Sequence, residues 1–274
     1  MHFLVKGGMT LERKKKERAV VYRQTQIAAG IYDMWIDTSL ANQARPGQFI
    51  SVYTQNQSAL LPRPISICEV DRENGRLRIV YRVAGKGTGE FATYKSGHRI
   101  DVLGTLGNGF PLEEAKGKKA FLMGGGIGIP PMLELAKEID GALSKDIIVG
   151  YRNKELFLAE DLKKYGTVHI ATEDGSVGIK GNVMNAIEEE GLCADIIFAC
   201  GPMPMLRAIK AYAQEKGIPA YISLEERMAC GVGACLGCVV KTKEIDHHSH
   251  VNNARICTDG PVYLASDVRI GKFV

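Results

Sequence analysis

The sequence predicts a protein of three parts: an antiparallel β-barrel, a doubly wound parallel sheet and a small cysteine-rich domain. Short alternating segments separated by turns fill the first part, residues 17–114. In residues 115–225 apolar strand segments alternate with helical ones, which is typical of a parallel sheet covered by helices. Four cysteines mark the last part, residues 226–274, and a basic tail at residues 1–16 precedes the barrel.

Composition and charge exclude several classes of protein. The chain has 274 residues, 45% of them hydrophobic, so it can bury more than one core. Its net charge of +4 is mild, and the basic run at residues 13–18 is typical of a solvated tail, so we expect no nucleic-acid partner. No apolar run approaches the roughly 18 residues of a membrane span, and no secretory signal is recognisable. We therefore expect a cytoplasmic protein with no membrane partner, and the odd cysteine number argues against a disulfide framework.

The barrel prediction rests on five short segments that alternate between apolar and polar residues. Turn signals separate them, among them Pro46-Gly47 and Asn74-Gly75. One helix is expected in this part, over Thr88–Lys95, with Thr88 as its N-cap. The five segments are Arg18–Gln26, Gly30–Asp37, Gln48–Tyr53, Leu77–Val83 and His98–Val102.

Two stretches of the predicted barrel carry groups that suit phosphate. In Arg63-Pro64-Ile65-Ser66 the arginine offers a planar fork matched to phosphate oxygens, and the serine hydroxyl could reach a ring nitrogen. The glycine-rich loop 85–89 precedes the expected helix, so its backbone could form a second phosphate cradle. A lone arginine is more often a surface residue, but two such stretches in one barrel favour a bound flavin dinucleotide.

A glycine-rich turn opens the predicted parallel sheet. The buried strand Ala120–Met123 leads into four glycines, and a helix with proline in its first turn follows from about Pro130. Such a turn lets the backbone approach a pyrophosphate at a helix N-terminus, although the G-x-G-x-x-G form is only half met and a structural tight turn is the alternative. The four glycines are Gly124, Gly125, Gly126 and Gly128.

The rest of this sheet is predicted from alternating strands and helices. The last strand is expected to close the sheet. The segments are Asp146–Tyr151, Leu156–Lys164, Val168–Thr172, Asn182–Glu189, Asp195–Cys200, Met203–Lys216 and Ala220–Leu224.

Two later positions bear on the nucleotide. Cys200 and Gly201 end a strand at the carboxyl edge of the sheet, where the thiol could contact a nicotinamide or serve as a small buried hydrophobe. After the second strand an acidic residue would favour NAD, whereas Arg152 could meet a 2′-phosphate. The residues alone therefore leave NAD and NADP both open.

The cysteines of the last part have the spacing of an iron–sulfur site. Cys230, Cys235 and Cys238 form C-x4-C-x2-C, the plant-type spacing for a [2Fe–2S] cluster, and Cys257 follows as the fourth ligand. Gly231, Gly233 and Gly237 would let this loop bend sharply. Zinc is the alternative, although zinc sites usually pair two short C-x2-C spacings. The loop Asp246–His250 is expected to be solvated rather than a metal site.

In this order, the motifs resemble the ferredoxin–NADP⁺ reductase superfamily, and most closely the electron-transfer subunits of NAD-dependent class 1B dihydroorotate dehydrogenases. The resemblance spans roughly residues 18–268 and includes residues 257–262, which begin at the last cysteine. It implies that Arg63 binds the FAD pyrophosphate and that Ser66 lies near the flavin, with Ile65 where many relatives carry tyrosine. It implies further FAD contacts at Val80, Tyr81, Arg82, Gly87 and Thr88, and it matches Cys230, Cys235, Cys238 and Cys257 to the cluster ligands.

The resemblance also implies a division of labour in pyrimidine (UMP) biosynthesis. A separate FMN-containing catalytic subunit would oxidise dihydroorotate, and two copies of each subunit would form a heterotetramer. Electrons would pass through [2Fe–2S] and FAD in this chain to NAD⁺, so no catalytic residue for the substrate is expected here.

Two other functions stay open at this point. The first is a reductase subunit that carries electrons from NAD(P)H to ferredoxin or an oxygenase. The bifurcating NADH-dependent ferredoxin–NADP⁺ reductase has a similar small subunit, which typically has aspartate where this chain has Cys230. The second is a redox-sensing or zinc-stabilised interaction module on a degenerate reductase fold.

Overall fold

Six antiparallel strands close into a barrel in the N-terminal part of the chain. The structure, a computed structural model, describes residues 15–56, 58–245 and 250–270. Around the barrel the strand order is β1-β2-β5-β4-β3-β6, and α1 lies between β5 and β6. The elements are β1 (Lys15–Ala28), β2 (Ile31–Asp37), β3 (Phe49–Val52), β4 (Arg63–Asp71), β5 (Arg76–Arg82), α1 (Lys86–Phe91) and β6 (Arg99–Leu106).

The barrel confirms the predicted architecture and corrects three details of it. Lys15 and Lys16 belong to β1 rather than to a tail, because they pair with β6 and Lys16 contacts Asp101 at 3.4 Å. Strand β4 contains the Arg63–Ser66 stretch, which the alternation had not identified as a strand. The helix begins earlier than expected, and its N-cap is Gly85 rather than Thr88.

A parallel sheet with helices on both faces follows, as predicted. Helices α2 and α3 pack on one face, and α4 and α5 pack on the other. This arrangement is the doubly wound form expected from strand–helix alternation. Its elements are β7 (Lys119–Gly125), α2 (Pro130–Glu138), β8 (Ser144–Tyr151), α3 (Ala159–Leu162), β9 (Thr167–Thr172), β10 (Ile179–Lys180), α4 (Val183–Glu189), β11 (Ile196–Cys200), α5 (Met203–Lys216) and β12 (Ala220–Ser223).

Helices in this part differ from the predictions at their ends. The helix expected over residues 156–164 is only the short α3, because Leu158 adopts a left-handed φ of 65° before it. Asn182 precedes α4 as its N-cap and accepts a hydrogen bond from Met184 N at 2.9 Å. Pro130 begins α2, where its missing N–H costs no helical hydrogen bond.

The cysteine-rich part is joined to the sheet rather than appended to it. Its strands β13 (Val239–Lys241) and β14 (Asn253–Arg255) form a small antiparallel pair. Its third strand, β15 (Val262–Leu264), pairs antiparallel with β12, so the prediction that residues 220–224 close the sheet is wrong. The short strand β15 pairs with an edge that would otherwise present unpaired backbone groups.

Polar contacts fasten these parts to one another. Asn108, just after β6, donates to Val262 O at 2.8 Å and accepts from Val262 N at 3.2 Å. On the opposite side, buried Glu134 of α2 accepts from Val70 N of β4 at 2.9 Å, and Arg78 of β5 pairs with Asp161 of α3 at 3.1 Å. In the described ranges, none of the helices is long and apolar enough to cross a membrane.

Candidate functional site

The four predicted cluster ligands come together in the cysteine-rich part as two pairs. The Sγ atoms of Cys238 and Cys257 are 3.4 Å apart, and both side chains are buried. Cys230 and Cys235 form the outer pair, and Cys230 Sγ accepts a hydrogen bond from Cys235 N at 3.4 Å. None of the four is in a disulfide. Four free thiols in two pairs fit a [2Fe–2S] cluster, in which each iron takes two thiolates.

Backbone N–H groups of the loop point at these sulfurs. Val232 N donates to Cys230 Sγ at 3.5 Å, and Gly233 N donates to Cys257 Sγ at 3.2 Å. Burial raises the pKa of Cys230, but the N–H groups outweigh it and lower that pKa to about 7. Burial and the neighbouring Cys238 raise the pKa of Cys257 to about 12. The thiol of Cys230 is therefore more easily ionised than that of Cys257, and the thiolate is the form that binds a metal.

The loop bends largely as predicted. Gly231 and Gly233 have left-handed φ values of 70° and 83°, but Gly237 does not, and Leu236 adopts 55° instead. Of the histidine loop, residues 246–249 lie outside the described part, and His250 is exposed. Among the described His, Cys, Asp and Glu side chains, no group of three is placed to hold a single metal ion.

The loop packs directly on the outer surface of the barrel. A Cβ placed on Gly231 would lie 3.3 Å from Leu106, 3.5 Å from Ser51 Oγ and 3.7 Å from Leu103. These three side chains belong to β3 and β6, and β3 pairs with the β4 stretch that carries Arg63. The cysteines are therefore adjacent to the predicted flavin site.

The two predicted phosphate-binding stretches of the barrel lie in contact with each other. A Cβ on Gly87 would lie only 2.6 Å from Arg63 Nε, so the guanidinium crosses the first turn of α1. Thr88 Oγ1 accepts hydrogen bonds from Ala84 N at 2.9 Å and Gly85 N at 3.2 Å, which shapes the loop. An arginine over a glycine-rich loop at a helix start fits a diphosphate.

The other predicted flavin contacts divide into accessible and buried ones. Ser66 is half-buried on β4, and Ile65, in the same strand, packs partly against the barrel core. Tyr81 lies inside the barrel and donates to Gln24 Oε1 at 2.7 Å, so its side chain belongs to the barrel interior. Val80 packs between the barrel and the sheet, whereas Arg82 is exposed. Pro64 is exposed beside Arg63.

A cleft of about 980 Å³ separates the barrel from the carboxyl edge of the parallel sheet. Arg82 lines it from the barrel, and a Cβ on Gly126 would lie 3.4 Å from its Nη2. Three other predicted glycines, Gly125, Gly128 and Gly201, line it from the sheet. Arg152 lies in the same cleft. Most of the predicted nucleotide residues therefore line one cavity of a size that suits a dinucleotide.

Two of the predicted glycines, Gly124 and Gly128, also set the shape of the cleft. A Cβ on Gly128 would lie 2.3 Å from Cys200 O, so this glycine allows two loops to touch. A Cβ on Gly124 would lie 2.9 Å from Ile129 Cα. Cys200 itself is buried, and burial followed by the charge of Glu225 raises its pKa to about 12. Its thiol therefore stays protonated.

Glu225 is the main cleft residue that the sequence did not identify. It follows β12 and lines the cleft; solvent reaches its side chain, but the surrounding protein raises its pKa by desolvation. Its position just beyond the carboxyl end of a parallel strand was the available signal. Glu173 and Asn153 line the same cleft near Arg152.

Comparison with known proteins agrees with this architecture. The family model for the iron–sulfur cluster binding domain of dihydroorotate dehydrogenase B matches residues 225–269. A relative from Bacillus cereus (strain B4264), the electron transfer subunit of dihydroorotate dehydrogenase B (NAD(+)), is 43% identical over 259 residues, covering 93% of this chain and 98% of the relative. The subunit of that name from Shouchella clausii is 41% identical over 261 residues, covering 93% and 99%.

Solved structures share the fold. The NADH-dependent reduced ferredoxin–NADP oxidoreductase structure, studied for flavin-based electron bifurcation, matches with a TM-score of 0.81 and 29% identity, covering 91% of this chain and 89% of that one. A ferredoxin NADP⁺ reductase from Neisseria gonorrhoeae, with bound FAD and NADP, matches with a TM-score of 0.64 and 16% identity, covering 78% and 94%.

The barrel, the cleft and the paired cysteines define a component of an oxidoreductase with the ferredoxin–NADP⁺ reductase fold. Within that class the identity over nearly the whole chain is decisive. The chain belongs to the family of electron transfer subunits of dihydroorotate dehydrogenase B (NAD(+)).

Proposed function

We propose that this chain passes electrons from a dihydroorotate-oxidising, FMN-containing catalytic subunit to NAD⁺, with a [2Fe–2S] cluster and FAD as its own redox groups. The observation that carries the proposal is the packing of the cysteine loop on β3 and β6, beside the flavin stretch of β4. When bound, the cluster carries single electrons, and the flavin converts between single electrons and the hydride that NAD⁺ accepts. Membership of this family supports NAD rather than NADP as the electron acceptor.

Each part of the chain has its own task in this proposal. Residues 17–114 bind FAD, residues 115–225 bind NAD, and residues 226–274 bind the cluster. Arg63 and the Gly87 turn hold the FAD diphosphate, and Ser66 orients the flavin ring. The glycine turn and Gly201 hold the nucleotide in the cleft, against Arg82. The metal ligands are Cys230, Cys235, Cys238 and Cys257.

No group of this chain needs to take a proton from dihydroorotate. The Cys200 thiol, protonated at neutral pH, serves as a small contact at the inner end of the cleft. The two subunits associate as a heterotetramer with two copies of each. All seven cysteines are free thiols, which supports a reducing, cytoplasmic setting.

Reconstitution tests the proposal. The chain is co-expressed with the FMN-bearing subunit of its own source, and NADH formation from dihydroorotate is followed with and without this chain. We expect NADH only when both subunits are present. Cys235→Ser should abolish it, and Cys193→Ser, at an exposed cysteine outside the loop, should not.

Other results would contradict the proposal. Dihydroorotate oxidation by this chain alone would place the substrate chemistry here. Failure of the two subunits to associate, with NADH or NADPH reducing ferredoxin through this chain, would favour the general reductase function.

A further inference from the structure

Ser51 carries a buried hydroxyl for which the described protein offers no hydrogen-bond partner. The residue is 0% exposed, and its Oγ is one of five buried side-chain polar atoms in the described ranges without a partner. Its neighbours across the barrel strands are Pro64 and Leu103, whose side chains have no acceptor. The hydroxyl faces Gly231, next to the predicted ligand Cys230, at 3.5 Å from where a Cβ would lie.

A second of these five atoms lies beside the turn that follows Cys257. Tyr263 of β15 has a buried hydroxyl without a partner, and its ring packs against the apolar core that contains Cys238 and Cys257. A Cβ on Gly260 would lie 2.5 Å from this hydroxyl, which places it over the turn that follows Cys257. The phenol therefore lies beside the turn that begins at the predicted ligand Cys257.

Leaving a buried hydroxyl without a hydrogen-bond partner is energetically costly. Ser51 lies at Gly231 and Tyr263 at Gly260, so both hydroxyls adjoin segments that carry predicted cluster ligands, which indicates an acceptor that both share. Sulfur atoms of a metal-bound thiolate or sulfide are acceptors of this kind, and hydrogen bonds to them are one of the factors that set the potential of an iron–sulfur cluster.

We propose that Ser51 and Tyr263 donate O–H···S hydrogen bonds to sulfur atoms of the cluster and so raise its reduction potential. The inference rests on the proposed function, because it requires a [2Fe–2S] cluster at the four cysteines. Reduction adds one negative charge to the cluster. A donor therefore stabilises the reduced form more than the oxidised form, and its removal lowers the potential.

The test measures the cluster itself in the purified holoprotein. The variants are Ser51→Ala, Tyr263→Phe and the double variant. Thr172→Val is the control, because it removes a buried hydroxyl that donates to Val177 O at 2.8 Å, far along the chain from the cysteines. Iron and sulfide content are measured first, and each protein is then titrated with dithionite in the presence of mediators while the EPR signal of the reduced cluster is followed.

Each deletion should shift the reduction equilibrium of the cluster toward the oxidised form by about tenfold, which is about 59 mV for a one-electron couple. The double variant should show about twice that shift, and Thr172→Val none. The Fe–S stretching bands in resonance Raman spectra should move in D₂O for the wild type and move less in each variant.

Several outcomes would overturn the inference. Unchanged cluster potentials in both single variants would do so, as would a shift in the flavin potential with the cluster unaffected. A shift in only one variant would remove the other residue from the proposal. Absence of a [2Fe–2S] signal from the wild type would instead refute the proposed function, so the two failures are distinguishable.

Discussion

The contact between Gly128 and Cys200 allows a quantitative prediction for the nucleotide cleft. In Gly128→Ala the new Cβ would lie 2.3 Å from Cys200 O and 2.6 Å from Gly201 Cα. Real Cβ contacts stay above 3.0 Å, so the two loops must separate by about 0.7 Å. Misplacement on the scale of 1 Å can cost about 100-fold in rate, so we expect kcat/KM for NADH to fall between about 10- and 100-fold.

The assay is NADH oxidation by the holoprotein with ferricyanide as electron acceptor. FAD and iron content should stay at wild-type values, because the substitution lies outside both sites. Overpacking should also cost about 1–3 kcal/mol of stability. Gly191→Ala is the matched control: Gly191 has a φ of 62° and no neighbour within 4 Å of a Cβ, so alanine adds backbone strain away from the cleft.

Two results would refute this reasoning. A Gly128→Ala protein that keeps kcat/KM within twofold would show that the close approach does not position the nucleotide. An equal loss of activity in Gly191→Ala would show that lowered stability, and not the geometry of the cleft, is the cause.

Three further predictions concern stability and flavin binding. Burial and Glu138 raise the pKa of Glu134 from 4.5 to about 7, so the folded state binds this proton more tightly than the unfolded state, and stability is lost as pH rises between these values. In urea unfolding, the wild type should lose about 3 kcal/mol of unfolding free energy between pH 5 and pH 8, and Glu134→Gln should not. The same loss in both proteins would contradict this. Arg63→Ala should weaken FAD binding at least tenfold in a fluorescence titration with the cluster content unchanged, and wild-type affinity would argue against a diphosphate contact there. Arg78→Ala should cost roughly 3 kcal/mol in urea unfolding, because it leaves the buried Asp33 carboxylate unpaired, and a cost below about 1 kcal/mol would contradict that reading.

Local patterns in the sequence identified the candidate residues for binding the cofactors. Spacing alone singled out Cys230, Cys235, Cys238 and Cys257, and strand–helix alternation located the glycine turn at the carboxyl edge of the sheet. Arg63 and the Gly87 loop were recognised separately as phosphate-friendly groups, and the structure brings them into contact.

The features that the sequence missed depend on distant contacts or on unusual backbone conformations. Strand β4 contains Pro64, which argues against a strand, but the proline lies near the strand's start. Strand β15 has only three residues and forms by pairing with β12, which no local pattern reveals. Leu158 and Leu236 adopt left-handed φ values that leucine rarely takes, and the packing of Ser51 against Gly231 exists only in the folded protein.

The pairing of β15 with β12 has a consequence for how this protein can meet its partner. Many electron carriers sit on tethered modules that swing between donor and acceptor. Here β15, in the segment that holds the cysteines, pairs with β12 of the parallel sheet. Asn108 hydrogen-bonds the start of β15 to the barrel. We expect the spacing between its redox groups to be constant during turnover. Delivery of electrons then depends on the catalytic subunit docking against a rigid body.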